Sequence, residues 1–576
     1  MLDLLIQGGT LVDGTGAPGR RADVGVRGGR VVAVGSIDEA ADEVVDATDL
    51  VVTPGFVDPH THYDAQLFWD PAAASSSVHG VTSVIGGNCG FTLAPLDARD
   101  ADYTRRMMAK VEGMPLRALE EGVPWQWSSF AEYLGALEGN IGVNAGFLVG
   151  HCALRRKVMG PDAIGNEATP DQVADMARLL HQCVDEGGLG FSTTLSFTHA
   201  DGDGQPVASR WAARDEVLAL CDAIRTHEGT TLEYVTDGCL RGFRPDEVEL
   251  MADMTLAARR PLNWNVLTID SKEPERYREQ LAANENAAAK GGRAIALTMP
   301  VLVEMNMSFL TYCALFMLPD WESVMGLPVP ERMAKLRDPD VRRFLAERAR
   351  SPEAGVIARL NDWGRYLLGD TYSPANQGLK GRRVDDVAKE RGLDPFDTLL
   401  DIVLADDLRT ILWPLPTDSD DASWQLRKEA WARDDVLLGG SDAGAHLDRM
   451  CGAPYTTRFL ADSLRGRQLV SLERAVQLIT QAPAELFGLR DRGVVVEGAH
   501  ADLTVIDPET VDMQDVTLVH DLPGGVGRLA AGSTGVHRVY VNGCAIVTDG
   551  AVTGDLPGTV LHSGRDTATV PVPAGA

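Results

Sequence analysis

Two histidines, His60 and His62, stand two residues apart in TPGFVDPHTH, residues Thr53–His62. Alternate residues of a strand share a face, so both imidazoles point the same way. Two such rings at a strand end can bind one divalent cation. Pro54-Gly55 breaks the chain just before Phe56–Val57, which reads as the start of a buried strand. Taken alone, the pair reads equally well as two satisfied histidines beside a strand end.

Other side chains carry weaker signals. His151 opens GHCALR after an apolar strand and reads either as a pocket-facing ligand or substrate contact, or as a structural histidine. Arg155 offers a planar fork suited to a substrate carboxylate, or to an ordinary salt bridge. Ser192, Thr193 and Thr194 suit the mouth of a site or strand-end capping. Trp125 and Trp127 read as core before they read as an apolar wall. Gly8-Gly9 and Gly86-Gly87 are turn glycines without phosphate-loop spacing.

The elements that must position these groups follow a clear order. Leu2–Gln7, Thr10–Asp13, Ala22–Arg27 and Arg30–Gly35 alternate apolar and polar residues between glycine turns, which predicts short strands. The same texture returns at Asp502–Ile506, Val536–Asn542 and Ala545–Thr548, so one small β-sandwich built from both ends is expected. Between them, apolar strands such as Val81–Gly86, Asn144–Gly150 and Leu189–Thr193 alternate with helical stretches. Pro170–Asp185, with Thr169 as N-cap, and Ala212–Glu228 are the clearest helices. Strand–helix repetition predicts a parallel sheet. The stretch 284–370, with Met305, Met307, Phe309, Tyr312, Phe316, Met317 and Trp321, reads as an irregular insertion. The tail from Ser563 lacks apolar periodicity and is expected to be loosely held. The expected division is 1–53 and 489–562 for the sandwich, 54–488 for the α/β unit, and 563–576 for the tail.

Bulk properties exclude several classes. A length of 576 residues exceeds one simple domain. Hydrophobic and charged fractions of 44% and 24% are those of a globular chain, not a disordered or membrane protein. A formal charge of −30 repels nucleic acid and anionic lipid, so neither is an expected partner. The eight cysteines, at 89, 152, 183, 221, 239, 313, 451 and 544, include no CxxC pair. Without a signal-peptide pattern or a spanning apolar run, the expected location is the cytoplasm.

The wider motifs identify a resemblance. TPGFVDPHTHYD is similar to the first-strand signature of the amidohydrolase superfamily. HGVTSVIGGNCGFTLAPL (His79–Leu96), GHCALRRKVMG (Gly150–Gly160), GGSDAGAHLD (Gly439–Asp448), LERAVQLITQAPAELFGL (Leu472–Leu489) and GAHADLTVID (Gly498–Asp507) resemble its D-aminoacylase, or N-acyl-D-amino-acid deacylase, family. That resemblance covers nearly the whole chain. It implies a (β/α)₈ TIM-like barrel with a composite β-sandwich and metal-assisted amide hydrolysis. It implies that His60 and His62 are ligands, and that Asp442 both binds metal and accepts the proton of the attacking water. It implies that Cys89 replaces the bridging lysine of other superfamily members; no lysine lies around Gly190–Phe197. His446, four residues after Asp442, then orients that aspartate or contacts substrate.

The chain departs from the family at strands five and six, where histidine ligands are expected. TTLEYVTDG (Thr230–Gly238) and RPLNWNVLTID (Arg260–Asp270) contain none. Glu233 is a candidate replacement ligand, whereas Asn265 is a poor one and Val266 is none. One cation, zinc by its donors, is expected, with a second left open. The expected substrate is a small N-acyl (D-)amino acid or related linear amide. A cyclic amide or imide, or a metal-free scaffold role, is the alternative. Self-association is left open.

Overall fold

The structure, a computed structural model, describes residues 1–310 and 313–572, apart from the side chain of Val356. The chain divides into two compact units. The first comprises Met1–Val301, Asp421–Leu447 and the residues from Cys451 onward; the second comprises Leu302–Asp420 and Asp448–Met450.

Eight parallel strands form the centre of the first unit. β1 (Phe56–Asp58), β2 (Val81–Gly86) and β3 (Asn144–Phe147) lie side by side. β3 breaks at Leu148 and resumes at Val149–Gly150, where it pairs with β4 (Gly190–Thr194). β5 (Thr231–Val235), β6 (Leu262–Asn265), β7 (Ala294–Thr298) and β8 (Val436–Leu438) follow in order. All are buried along their length, which suits near-continuous apolar runs covered on both faces. Beyond β8 the chain returns to the end of β1. The His62 N–H donates to Ala443 O at 2.7 Å and the Asp442 N–H to His60 O at 3.2 Å.

Helices separate the strands. α1 (His151–Met159) and α2 (Pro170–Asp185) link β3 to β4, and α3 (Arg214–Ile224) precedes β5. α4 (Pro245–Ala258) precedes β6, α5 (Pro274–Ala289) precedes β7 and α6 (Asp421–Trp431) precedes β8. α2 starts where its sequence dictates. Pro170 occupies the first turn, Thr169 Oγ1 accepts from Gln172 N–H, and the Gln172 side chain accepts from Thr169 N–H. Val57, Ile85, Leu148, Leu189, Ile295, Leu297 and Leu437 pack together with Leu486, Phe487 and Leu561. That cluster ties β1, β2, β7, β8 and the strand Val560–Leu561 to the helix Gln481–Phe487.

Both chain ends build the accessory sheets. Val51–Pro54 lies between Leu503–Ile506 and Thr10–Leu11 in a seven-stranded sheet. Leu2–Gln7 sits in a four-stranded sheet with Asp23–Arg27, Arg30–Gly35 and Ala41–Asp46. Leu4, Ile6, Val24, Val26, Val52, Leu503, Val505 and Tyr540 share one buried cluster.

Three expectations are corrected. The stretch 284–370 is regular up to residue 298, since α5 and β7 run through it, and the second unit spans Leu302–Asp420. That unit has its own core, in which Trp321 and Trp363 stack at 5.6 Å and Phe396 joins them; Tyr312 lies outside the described residues. Val560–Leu561 leaves the sandwich and pairs with β3. The tail beyond Ser563 is held as well. Thr567 is fully buried and its hydroxyl donates to Gly229 O at 2.6 Å, while Ala568 N–H donates to Gly488 O. Its low hydropathy hid a backbone-mediated attachment; residues 573–576 lie outside the described set.

Leu561→Ala removes a fully buried side chain from the strand cluster. It should lower stability by about 2–4 kcal/mol in denaturant unfolding. Leu518→Ala, at a side chain 54% exposed, should stay within about 0.5 kcal/mol.

Candidate metal centre

His60 and His62 project from the segment after β1, both buried. Cys89 comes from the tight turn after β2. Its φ of 57° is left-handed, as are those of Gly87 at 72° and Gly90 at 76°. A Cβ at Gly87 would lie 2.2 Å from Leu148 O, so only glycine allows the turn to sit so close to β3. The turn aims Cys89 Sγ at 3.5 Å from His60 Nε2 and 3.8 Å from His62 Nε2. The ligand atoms of these three residues all lie within 4.8 Å of one another.

Asp442 completes the cluster from the loop after β8. Its Oδ1 is 3.3 Å from His60 Nε2 and 3.5 Å from His62 Nε2. Burial alone would raise its pKa, but hydrogen bonding and charge from His60 and His62 outweigh this and hold it well below the usual carboxylate range. Its side chain is 35% exposed, so the carboxylate is reachable from solvent. His446 Nε2 stands 3.9 Å from Asp442 Oδ2. Both Asp442 and His446 have left-handed backbone, φ 55° and 50°, a conformation that costs non-glycine residues roughly 1–3 kcal/mol and marks functional turns.

Glu112 is a neighbour that the sequence did not disclose. Its Oε2 lies 3.5 Å from His62 Nε2, and its side chain is 3% exposed. It follows the helix Ala101–Val111, where a glutamate looks like an ordinary helix end. Burial lowers the His62 pKa, but Glu112, Asp442 and Asp64 together lift it to about 9. His199, after β4, is a second unforeseen neighbour. Burial, reinforced by the charge of His62, pushes it down to about 3, and its Nδ1 meets Thr194 Oγ1 at 2.8 Å.

Glu233 reaches this region from β5 in a different role from the one expected. One carboxylate oxygen accepts the Cys89 N–H at 2.8 Å and the other accepts from Asn265 Nδ2. Asn265, at the end of β6, also faces His60 Nδ1 at 3.1 Å. Each oxygen of Glu233 thus accepts one hydrogen bond, which ties it to the Cys89 turn and to Asn265. Burial pushes its pKa up to about 8.

His151 and Arg155 are not brought to the cluster. His151 Nδ1 meets Thr193 Oγ1 at 2.8 Å and its Nε2 meets Glu216 Oε1 at 2.8 Å. Arg155 grips the same carboxylate through Nη1 at 2.5 and 2.6 Å and donates from Nη2 to Asn166 O. Both side chains are fully buried. The reason is a partner far along the chain: Glu216 on α3 neutralises Arg155 and orients His151, leaving neither available to a substrate.

A divalent cation suits the donors. Ligands at about 2.0–2.3 Å from a shared cation stand about 3.3–3.6 Å apart, close to the separations among His60, His62, Cys89 and Asp442. Two imidazoles and a sulfur favour zinc over hard cations. Burial, then the carboxylates of Glu233, Glu112 and Asp442, push the Cys89 thiol up, and coordination is what deprotonates such a thiol.

A parallel α/β unit that gathers two imidazoles, a thiol and a carboxylate at the ends of its strands defines a metal-assisted hydrolase. The amidohydrolase family model matches residues 43–547. The D-aminoacylase of Alcaligenes xylosoxydans xylosoxydans is 30% identical over 568 residues, 97% of each chain. The N-acyl-D-aspartate deacylase of the same organism is 30% identical over 575 residues, 98% of this chain and 95% of the relative. A solved D-aminoacylase, in which a binuclear metal centre shows one-metal activation and second-metal attenuation, superposes with a TM-score of 0.65 at 27% identity, covering 98% of this chain and 100% of that one. The chain belongs to the amidohydrolase family and is a hydrolase acting on carbon–nitrogen bonds.

The Glu216 network yields a test. Burial raises the Glu216 pKa, but His151 and Arg155 outweigh it and hold it below the ordinary 4.5. The carboxylate therefore stabilises the fold above about pH 4.5, and this is lost as acid takes the pH through its folded-state value. Glu216→Gln should cost about 3–5 kcal/mol near neutrality, a deficit that narrows in acid, with metal content per folded molecule unchanged. Urea unfolding at several pH values reads the first and elemental analysis the second.

Proposed function

We propose that this amidohydrolase removes the acyl group from an N-acyl-D-amino acid, using a divalent cation, zinc by donor chemistry, held by His60, His62 and Cys89. The observation that carries this reading is the close grouping of the ligand atoms of His60, His62 and Cys89, with Asp442 Oδ1 at 3.3 and 3.5 Å from the two Nε2 atoms. The linear N-acyl substrate and its D configuration rest on the relatives that share nearly the full length. The eight strands are read as a closed barrel, supported by the hydrogen bonds between the ends of β8 and β1 and by the D-aminoacylase superposition. Its functional groups then sit at the carboxyl ends of the strands, the catalytic face of such barrels. No disulfide joins the eight cysteines among the described residues, which supports a reducing compartment such as the cytoplasm. Among the described residues no helix is long and apolar enough to cross a membrane.

When bound, the cation supplies a Lewis acid that acidifies water and polarises a carbonyl. The chain's own residues do the rest. His60 and His62 fix the position by their shared strand face. Glu233 holds the Cys89 turn through its backbone N–H, and Asn265 contacts the outer nitrogen of His60, as outer partners of ligands do. Asp442, ionised and partly open, accepts a proton from the water that attacks the acyl carbonyl. It then returns that proton to the departing amine nitrogen, acting as base and then acid. His446 beside Oδ2 steadies the carboxylate.

Purified protein should contain zinc, release free amino acid from N-acetyl-D-amino acids faster than from L isomers, and lose turnover on chelation. Asp442→Asn should keep the fold and lose about 10²–10⁴-fold in kcat. Turnover of hydantoins or lactams with none of the linear amides would replace the deacylase reading with cyclic-amide hydrolysis. Protein that neither contains nor is activated by zinc, manganese or cobalt would end both.

A further inference from the structure

We infer that Glu112 is a further ligand of the same cation, an oxygen donor delivered by a loop rather than by a strand end. The inference rests on the metal-dependent reading above. Glu112 Oε2 stands 3.5 Å from His62 Nε2, the same nitrogen that faces Asp442 Oδ1 at 3.5 Å and Cys89 Sγ at 3.8 Å. Three donors of negative or soft character thus face one imidazole nitrogen.

That separation discriminates between two roles. A charge-assisted N–H···O bond is about 2.7–2.9 Å long, and none of these contacts is so short. Two ligands sharing a cation stand about 3.3–3.6 Å apart, and Glu112 lies within that range. A carboxylate that only orients a metal-bound histidine binds its other ring nitrogen. Here the other nitrogen, His62 Nδ1, has no hydrogen-bond partner among the described residues. Glu112 therefore stands at ligand spacing from His62 Nε2, the ring nitrogen that also faces Cys89 and Asp442, and not beside the outer nitrogen where an orienting group binds.

Its placement is enforced from both sides. The backbone carbonyl of Glu112 accepts the His446 N–H, which fastens the turn after the helix Ala101–Val111 to the loop carrying Asp442. The side chain is 3% exposed, so the carboxylate is directed inward. The strand ends where the family's histidine ligands are expected carry Glu233 and Asn265, which are occupied with each other, with Cys89 and with His60. Glu112 supplies from outside the strands a donor that β5 and β6 lack. With carboxylate oxygens from Glu112 and Asp442 added to nitrogen and sulfur, the set also accepts harder cations such as manganese.

Cobalt(II) reports on donors through its visible absorption, and a competing chelator of known affinity reports on binding. Wild type and Glu112→Gln, matched for circular dichroism, are titrated with cobalt(II) and zinc(II). The Gln variant should bind at least about 100-fold more weakly than wild type, with altered cobalt d–d bands. Equal affinity and identical bands would overturn the inference, even if KM changed, and would make Glu112 a substrate contact. Glu112→Cys gives a second reading that does not depend on how the Gln variant folds. A thiolate at a ligand position adds sulfur-to-cobalt charge-transfer absorption to that of Cys89, and unchanged intensity would refute the assignment. Wild-type protein that binds neither ion would instead sink the metal-dependent reading itself.

Discussion

Three strand ends far apart in sequence must deliver their donor atoms to one small volume. β1 brings two imidazoles, the turn after β2 brings a sulfur, and the loop after β8 brings a carboxylate. All stand 3.3–3.8 Å from a neighbour in the set. The tolerance is small, because ligand bonds vary by only about 0.2 Å. Much of the surrounding structure is explained by that requirement. The backbone at Cys89 and Asp442 is left-handed, an arrangement that persists only where neighbouring contacts overdetermine it. Asp442 is fixed by its bond to His60 O, and Cys89 by Glu233 and by the turn packed on Leu148.

The charge arrangement obeys the same constraint. Carboxylates gather in a buried region that also holds a thiol. Burial first, and the charge of Asp442 last, move Glu233 up to about 8, while Glu112, Asp442 and Asp64 outweigh burial and move His62 up to about 9. A positive centre among them relieves this strain, so the electrostatics and the donor spacing point to the same occupant. Glu233 and Asn265, on β5 and β6, hydrogen-bond each other and contact the Cys89 turn and His60, which helps hold those groups in place.

Residues singled out in short stretches of the sequence lie together in the structure: His60 and His62 by their spacing, Cys89 and Asp442 by the family resemblance of the motifs around them. Leu2–Gln7, Arg30–Gly35 and Val81–Gly86 are strands with the expected bounds, and α2 begins at its proline and ends at Asp185. Long-range partnerships were not legible. Arg155 could be read as a substrate contact or a salt bridge because its partner Glu216 lies on another helix, and Glu112 gave no signal because its closeness to His62 is purely spatial. The break at Leu148 arises because β3 pairs with β2 through one half and with β4 through the other. The second unit hid behind its scattered aromatics, which gather into a core only once its helices fold together.

The pairing of Val560–Leu561 with β3 has a consequence for biosynthesis. β1 to β8 have all left the ribosome before this strand is made, yet Leu561 fills part of the cluster they share. Until residue 561 emerges, that flank of β3 presents unpaired backbone and an apolar gap to the surrounding medium. A nascent chain therefore keeps one edge of its central sheet open until almost the last of its residues are made.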